Sequence, residues 1–315
     1  MVQFHPRVHD VADAIETMET RGAAAIADQA ADALGTQAVE SDADSAPDLC
    51  AELRAVARFL LETRPTAVSL PNACRYVLQR TEGATLEAVR SSVVDSAEEF
   101  RARLETAQRD LGQVGANRLR DGDTVMTHCH STDALACVES AVADGKAIDA
   151  IVKETRPRTQ GHITARELTE MGVDVTMVVD SAARRYMDEV DHVLVGADAI
   201  AADGSVVNKV GTSGLAVVAR ERGTPIVVAA QTLKLDPATL TGNVVEIEMR
   251  DDGEVLDDET RANIGDIDVE NPAFDVTPPR YVDAIVTERG QFPPESIVMV
   301  MRELFGEGPT EPWEG

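Results

Sequence analysis

The chain has 315 residues and a formal net charge of −27, with 56 acidic residues against 29 basic ones, and 43% of it is hydrophobic. That length allows two domains and a core that needs no disulfide staples. The charge excludes a nucleic-acid partner, which would require a basic face, and the hydrophobic content excludes a disordered acidic chain. What remains is a folded protein in a solvated acidic shell, as in cytoplasmic proteins of extreme halophiles, where salt screens self-repulsion. Four cysteines (Cys50, Cys74, Cys129 and Cys137) with no signal peptide read as reduced thiols of a cytoplasmic protein. No run of about 18 apolar residues exists, so no membrane span is expected. Lysine is nearly absent: Lys146, Lys153, Lys209 and Lys234 are the only four. A surface cleared of lysine makes each survivor a candidate for a specific task.

Residues 1–115 carry helical periods and form the first expected domain. AIETMETRGAAAIADQAADAL reads as one helix or as a helix pair breaking at Arg21-Gly22. SDADSAPD is an acidic loop, and DLCAELRAVARFLLETR is a helix stopped by Pro65. A long helix then ends near Gly112 to Gly115. From 116 to 315 the grammar changes. TVMTHC, AIDAIVKET, DVTMVVD, HVLVGAD, PIVVAA, VVEIEM and VDAIVTE are short apolar runs, most of them separated by one amphipathic stretch. This predicts an α/β fold: an N-terminal helical domain followed by a Rossmann-like domain with a mainly parallel sheet. No GxGxxG follows the first strand, so a dinucleotide is not expected. RDDGEVLDDETRANIGDIDVENP reads as an acidic loop insertion.

In an open α/β sheet, ligands sit at the carboxyl ends of the strands. The expected strands end on chemically able residues: Cys129, the run ETRPRTQG, Asp180, Asp198 and Lys234. In THCHST, successive strand residues point to opposite faces, so His128 and Cys129 do not easily share a metal. The ordinary reading of Cys129 is a buried structural thiol. Its place, facing the start of a following helix, favours a thiol of lowered pKa instead. Asp198 closes a wholly apolar run; if dry walls surround it, its carboxyl pKa rises and it can donate a proton. The ordinary reading there is a turn or cap. Asp203-Gly204 reads as a hairpin turn. Asn208-Lys209 leads into GTSG, whose small residues would leave helix N–H groups open to an anion, unless Thr212 or Ser213 is an ordinary cap. Arg21 and Arg64 are either surface arginines or the cationic anchors that an anionic ligand needs in so acidic a chain.

These motifs together resemble a known family. METRGAAAIAD, ETRPTAVSLPNA, MTHCHS, ETRPRTQG, VVDSAARRYM, VGADAI, NKVGT, QTLKLDP, VEIEMRD, NPAFDVTPPRYVDAIVTERG and TEPWE are similar to the superfamily of initiation factor 2B regulatory subunits and methylthioribose-1-phosphate isomerases. THCHS, VEIEMRD and the TEPWE tail point to its archaeal branch acting on ribose 1,5-bisphosphate. The resemblance implies conversion of α-D-ribose 1,5-bisphosphate to D-ribulose 1,5-bisphosphate, a step linking nucleotide degradation to Rubisco. It implies Cys129 as proton acceptor and Asp198 as proton donor. Arg21, Gly22, Ala23, Ala24 and Arg64 would hold part of the bisphosphate. Ser131, Thr132 and Asp133 would form the loop beside the thiolate, with Asp133 contributing backbone contacts at most. Asn208, Lys209 and Lys234 would complete the substrate shell. No cofactor or metal is implied, and the partners are a phosphorylated pentose and further copies of the chain, from dimer to hexamer. Two alternatives share the fold. A methylthioribose-1-phosphate isomerase would carry a different loop where this chain has His130-Ser131-Thr132, and a regulatory subunit without chemistry would lack the Cys/Asp pair.

The charge makes a direct prediction about salt. Raising KCl from about 0.1 M to about 1 M shortens the screening length from ~10 Å to ~3 Å, so the melting temperature should rise. A melting temperature indifferent to salt would contradict the acidic-shell reading.

Overall fold

The computed structural model describes residues 4–20, 22–265, 267–306 and 311–314. The chain divides into two compact units, Met1–Ala107 with Gly308–Gly315, and Gln108–Glu307. The first holds α1 (Pro6–Glu16), α2 (Ala23–Glu40), α3 (Ala46–Thr63), α4 (Ser69–Gln79) and most of α5 (Leu86–Ala116). Local chemistry sets these helices. Pro6 opens α1, where its missing N–H costs nothing. Ser45 caps α3, and Arg64 closes it just before Pro65. Buried Ala27, Ala30, Ala31 and Ala33 give α2 a smooth face for close packing. The C-terminal segment belongs to this unit: Glu311 binds the buried Arg75 through both carboxylate oxygens, at 2.8 and 2.9 Å, and Arg58 donates to the Trp313 carbonyl. The unit boundary therefore lies inside α5, and the tail departs from the simple division at 115/116.

The second unit follows in chain order: β1 (Asp123–Thr127), α6 (Thr132–Ala143), β2 (Ile148–Lys153), α7 (Gly161–Glu170), β3 (Asp174–Val178), α8 (Ala183–Tyr186), β4 (His192–Val195), β5 (Ala199–Ile200), β6 (Val206–Lys209), α9 (Thr212–Arg222), β7 (Ile226–Ala229), α10 (Asp258–Ile264), β8 (Phe274–Thr277), β9 (Ala284–Thr287), β10 (Gly290–Phe292) and α11 (Ile297–Phe305). Seven strands form one sheet in the order β10-β9-β7-β4-β1-β2-β3, parallel except for β10. Side chains alternate between its faces. Val193 and Val195 of β4 join the core under α9 and α11, whereas Leu194 joins the core under α6 and α7. Burial on both faces explains why the strand sequences are continuously apolar.

Three features depart from the sequence reading. RDDGEVLDDETRANIGDIDVENP, read as a loop, holds the short helix α10, which Asp257 caps by accepting from the Thr260 N–H. VVEIEM is not a strand: it has only an isolated bridge at Met249, and Val244 is 88% exposed. Its alternation lacks a partner strand to satisfy the backbone. Conversely, β5, β6 and β8 form a small antiparallel sheet that the apolar runs did not announce. The Asp203-Gly204 turn does join β5 to β6, with Gly204 at φ +84°. All four cysteines are free thiols. Among the described residues, no helix is long and apolar enough to cross a membrane.

Cys137 packs against α5 so closely that a Cβ on Gly115 would lie 2.1 Å from its sulfur. Glycine-to-alanine at an open helix position gains about 1 kcal/mol. Here Gly115→Ala should instead lose about 1–3 kcal/mol through overpacking, and adding Cys137→Ala should recover part of it. Urea unfolding measures both; a stabilised Gly115→Ala would contradict this packing.

Candidate active site

The sheet winds outward from β1 in both directions, with β2 and β3 on one side and β4, β7 and β9 on the other. The crevice at such a reversal lies at the carboxyl ends of β1 and β4. THCHST leaves β1 there, and GAD leaves β4 there. The two loops touch: a Cβ on Gly196 would sit 2.2 Å from Ser131 Oγ, so only glycine fits. Cys129 and Asp198 therefore stand on facing loops. Cys129 occupies the left-handed region at φ +69°, which costs a non-glycine residue about 1–2 kcal/mol. The Asp198 N–H donates to the Val207 carbonyl at 2.8 Å, tying this loop to β6.

The surroundings of the pair differ from the sequence expectation in two ways. Cys129 is 9% exposed, and burial pushes its thiol up to about 11. The His130 N–H and the charges of Lys209 and Arg250 pull it down, and Asp198 pushes it up. Desolvation is the largest of these effects, so the net shift is upward and favours the thiol, opposite in direction to the lowered pKa expected from sequence. Asp198 is exposed, not enclosed by dry walls. The apolar run before it is buried in the sheet, but the carboxyl-bearing loop emerges from it.

Cations collect beside the thiol. Burial lowers the Lys209 pKa first, and Arg250 lowers it further. Both lie against Phe274: the Lys209 Nζ is 4.7 Å and the Arg250 guanidinium carbon 5.8 Å from its ring centre. Lys209 donates to the Ala273 carbonyl at 2.9 Å, and Arg250 pairs with Glu248 at 3.0 Å. Arg250 escaped the sequence reading because VVEIEM looked like a strand interior. Lys153, another of the four lysines, is buried at the end of β2, 3.5 Å from the Gly211 carbonyl, and burial lowers its pKa. The rarity of lysine was the signal that could have singled it out.

Two of the GTSG amides, those of Gly211 and Ser213, are already engaged. Asp275 caps α9, accepting from Gly211 N–H at 2.7 Å and Ser213 N–H at 3.0 Å. This gives NPAFDVTPP a structural role, and burial raises the Asp275 pKa. Asn208 turns its amide to Thr212 Oγ1 at 3.0 Å. Ser131 caps α6 by accepting from the Ala134 N–H at 3.2 Å, and exposed Thr132 accepts from Gln108 through its carbonyl at 3.0 Å. Asp133 is 1% exposed and binds the Gln231 amide at 2.8 Å and the Lys234 ammonium at 2.7 Å. Its side chain thus fixes Lys234.

The remaining expected anchors belong to the helical unit. Gly22 is the N-cap of α2 at φ +88°, Ala23 and Ala24 open that helix, and Arg64 is the C-cap of α3. Arg21 lies outside the described residues. Among the described residues, no group of three or more His, Cys, Asp or Glu side chains could hold a metal ion.

Residues 19–294 match the Initiation factor 2 subunit family. The chain is similar to a curated ribose 1,5-bisphosphate isomerase of Haloferax volcanii, 74% identical over 311 residues, 99% of this chain and 96% of that one. It is similar at 40% identity over 299 residues to a methylthioribose-1-phosphate isomerase of Syntrophotalea carbinolica, 89% of this chain and 86% of that one. A solved structure of translation initiation factor eIF-2B from Pyrococcus horikoshii OT3 matches with a TM-score of 0.77 at 31% identity, covering 94% of this chain and all of that one.

The site makes a prediction about thiol reactivity. Iodoacetamide should alkylate Cys129 at a rate that rises about tenfold per pH unit between about pH 8 and 10, with no plateau, because the thiolate is the nucleophile. Lys209→Met should slow it at every pH by removing a charge that favours the thiolate. A plateau below pH 8, read by peptide mapping, would show a thiolate already formed.

Proposed function

The chain belongs to the initiation factor 2 subunit family, and we propose that within it the chain is an enzyme that isomerises α-D-ribose 1,5-bisphosphate to D-ribulose 1,5-bisphosphate through Cys129 and Asp198. An isomerase of this kind is supported by the 74% identity to the Haloferax volcanii protein along nearly the whole chain. The observation that carries the mechanism is the placement of Cys129 and Asp198 on touching loops at the sheet's reversal point.

In the reaction, Asp198 as an acid protonates the ring oxygen while the C1–O bond of the furanose breaks. Cys129 as thiolate takes the C2 proton of the resulting C1 oxocarbenium, forming an enol phosphate across C1 and C2. Cys129 then returns that proton to C1 while the Asp198 carboxylate takes the proton of the C2 hydroxyl, leaving the C2 ketone, so both side chains are regenerated and no cofactor takes part. Lys209 is better placed than Asn208 to stabilise the charge that develops on the C2 oxygen, because the Asn208 amide is engaged with Thr212. The resting thiol supplies the first proton. Moving it from Cys129 to Asp198 yields the thiolate and the carboxylic acid that the reaction needs. Bound substrate covering Asp198 would favour that transfer by desolvating the carboxylate. Buried Lys209 and half-buried Arg250 would meet the negative charge of the substrate. In the cell we place this step between nucleotide degradation and Rubisco, in an enzyme assembled from several copies of the chain.

The test is an assay in molar salt with α-D-ribose 1,5-bisphosphate and with methylthioribose 1-phosphate, following each ketose. Product from the bisphosphate is expected, with Cys129→Ser and Asp198→Asn each slowing it by roughly 10²–10⁴. Turnover of methylthioribose 1-phosphate alone would move the chain to the other isomerase branch. Near-full activity in either variant would remove that residue from the mechanism.

A further inference from the structure

THCHST carries two histidines that the proposed chemistry does not use. Two threonines face them from the β2–α7 segment, and Cys129 stands between the pairs. The Cys129 N–H donates to Thr155 Oγ1 at 2.8 Å, and the Cys129 carbonyl accepts from the Thr164 hydroxyl at 2.8 Å. Both threonines are buried, at 0% and 1% exposure, so water does not compete for their hydroxyls. A residue in the left-handed region is thus gripped on both of its peptide groups by side chains from the neighbouring strand–helix unit.

Each hydroxyl has one proton, so its direction matters. Thr164 gives its proton to the Cys129 carbonyl, and its oxygen lies 3.2 Å from His130 Nδ1. In the tautomer carrying Nδ1–H, His130 donates to it. Thr155 receives the Cys129 N–H and has two acceptors for its own proton, the Lys153 carbonyl at 3.1 Å and His128 Nδ1 at 3.2 Å. His128 Nε2 lies 2.8 Å from the Val210 carbonyl and so carries the ring hydrogen, leaving Nδ1 as a lone pair. Burial brings the His128 pKa down to about 4, which keeps that ring neutral. Thr155 is itself left-handed at φ +64°. Asp180 holds it there, accepting from the Thr155 N–H at 3.0 Å and the Arg156 N–H at 2.7 Å.

We propose that Thr155 and Thr164 are positioning residues whose hydroxyls, each within hydrogen-bond distance of one flanking histidine, lock Cys129 in the conformation that aims its sulfur at C2 of the substrate. This rests on the reading of Cys129 as the base. A Cys129 relaxed to negative φ would carry its Cβ, and the sulfur with it, in another direction.

The test replaces each threonine by valine, which keeps the shape and removes the hydroxyl, and by serine, which restores the hydroxyl. Two quantities are read: kcat and KM on α-D-ribose 1,5-bisphosphate, and the rate of iodoacetamide alkylation at Cys129 at about pH 9, which needs no turnover. Thr155→Val should lower kcat by about 10- to 100-fold with KM little changed, as expected for a misplaced catalytic group. It should slow alkylation by about tenfold, because a sulfur displaced from the Lys209 and Arg250 charges ionises less readily. Thr155→Ser should recover most of both. Wild-type values in Thr155→Val, or equal losses in the valine and serine forms, would overturn the proposal. The Thr164 pair repeats the comparison at the carbonyl, so a Thr155→Val that fails to fold still leaves a decision. If the wild type does not turn over the bisphosphate but alkylation falls with valine and returns with serine, the isomerase reading fails and the positioning role stands.

Discussion

The left-handed backbone of Cys129 is the constraint on which the rest of the site depends. It places a thiol at the carboxyl end of β1, on the loop facing Asp198. Such a conformation persists only where its surroundings over-determine it. Here they do so through hydrogen bonds with Thr155 and Thr164, the glycine at 196 that admits Ser131, and the cap that begins α6. These elements lie far apart in the chain. The winding of the sheet brings them to one end, which is why a doubly wound fold suits a site assembled from many strand ends.

The electrostatics have a similar division. The chain as a whole carries −27, and a doubly phosphorylated anion approaching it meets repulsion. At molar salt that repulsion is screened beyond ~3 Å. What then acts on a ligand is the small set of largely buried cations at the strand ends. Lys209 and Arg250 are held beside Cys129, and Lys234 is locked by Asp133. Desolvation weakens the protonation of Lys209 and also opposes ionisation of the thiol. The same burial that makes these charges strong opposes ionisation of the thiol, so the base role proposed for Cys129 requires that its proton first move.

Much of this was legible in the sequence because it is periodic or local. The switch from helical periods to short apolar runs announces the parallel sheet, since strands buried on both faces cannot alternate. Strand ends located Cys129, Asp198 and Lys234 without any knowledge of pairing. What the sequence hid was partnership at a distance. VVEIEM alternates like a strand but meets a neighbour only at its end, in one bridge from Met249 to Pro272, whereas FDVT, inside NPAFDVTPP, pairs with β6 from far along the chain, setting Asp275 opposite Asn208. GTSG looks like an open anion site until Asp275 arrives to cap it. The exposure of Asp198 and the high thiol pKa of Cys129 are likewise tertiary properties, which no run of neighbouring residues encodes. The histidines of THCHST were ambiguous for the same reason, since their partners are Val210, Thr155 and Thr164.

The most direct measurement is a crystal structure of the Cys129→Ser variant with α-D-ribose 1,5-bisphosphate bound. The introduced serine hydroxyl should lie within about 3.5 Å of C2, the separation expected of reacting atoms, with the Asp198 carboxyl within hydrogen-bond reach of the ring oxygen. A sugar bound with C2 remote from that hydroxyl, or with Asp198 facing only solvent, would contradict catalysis by this pair.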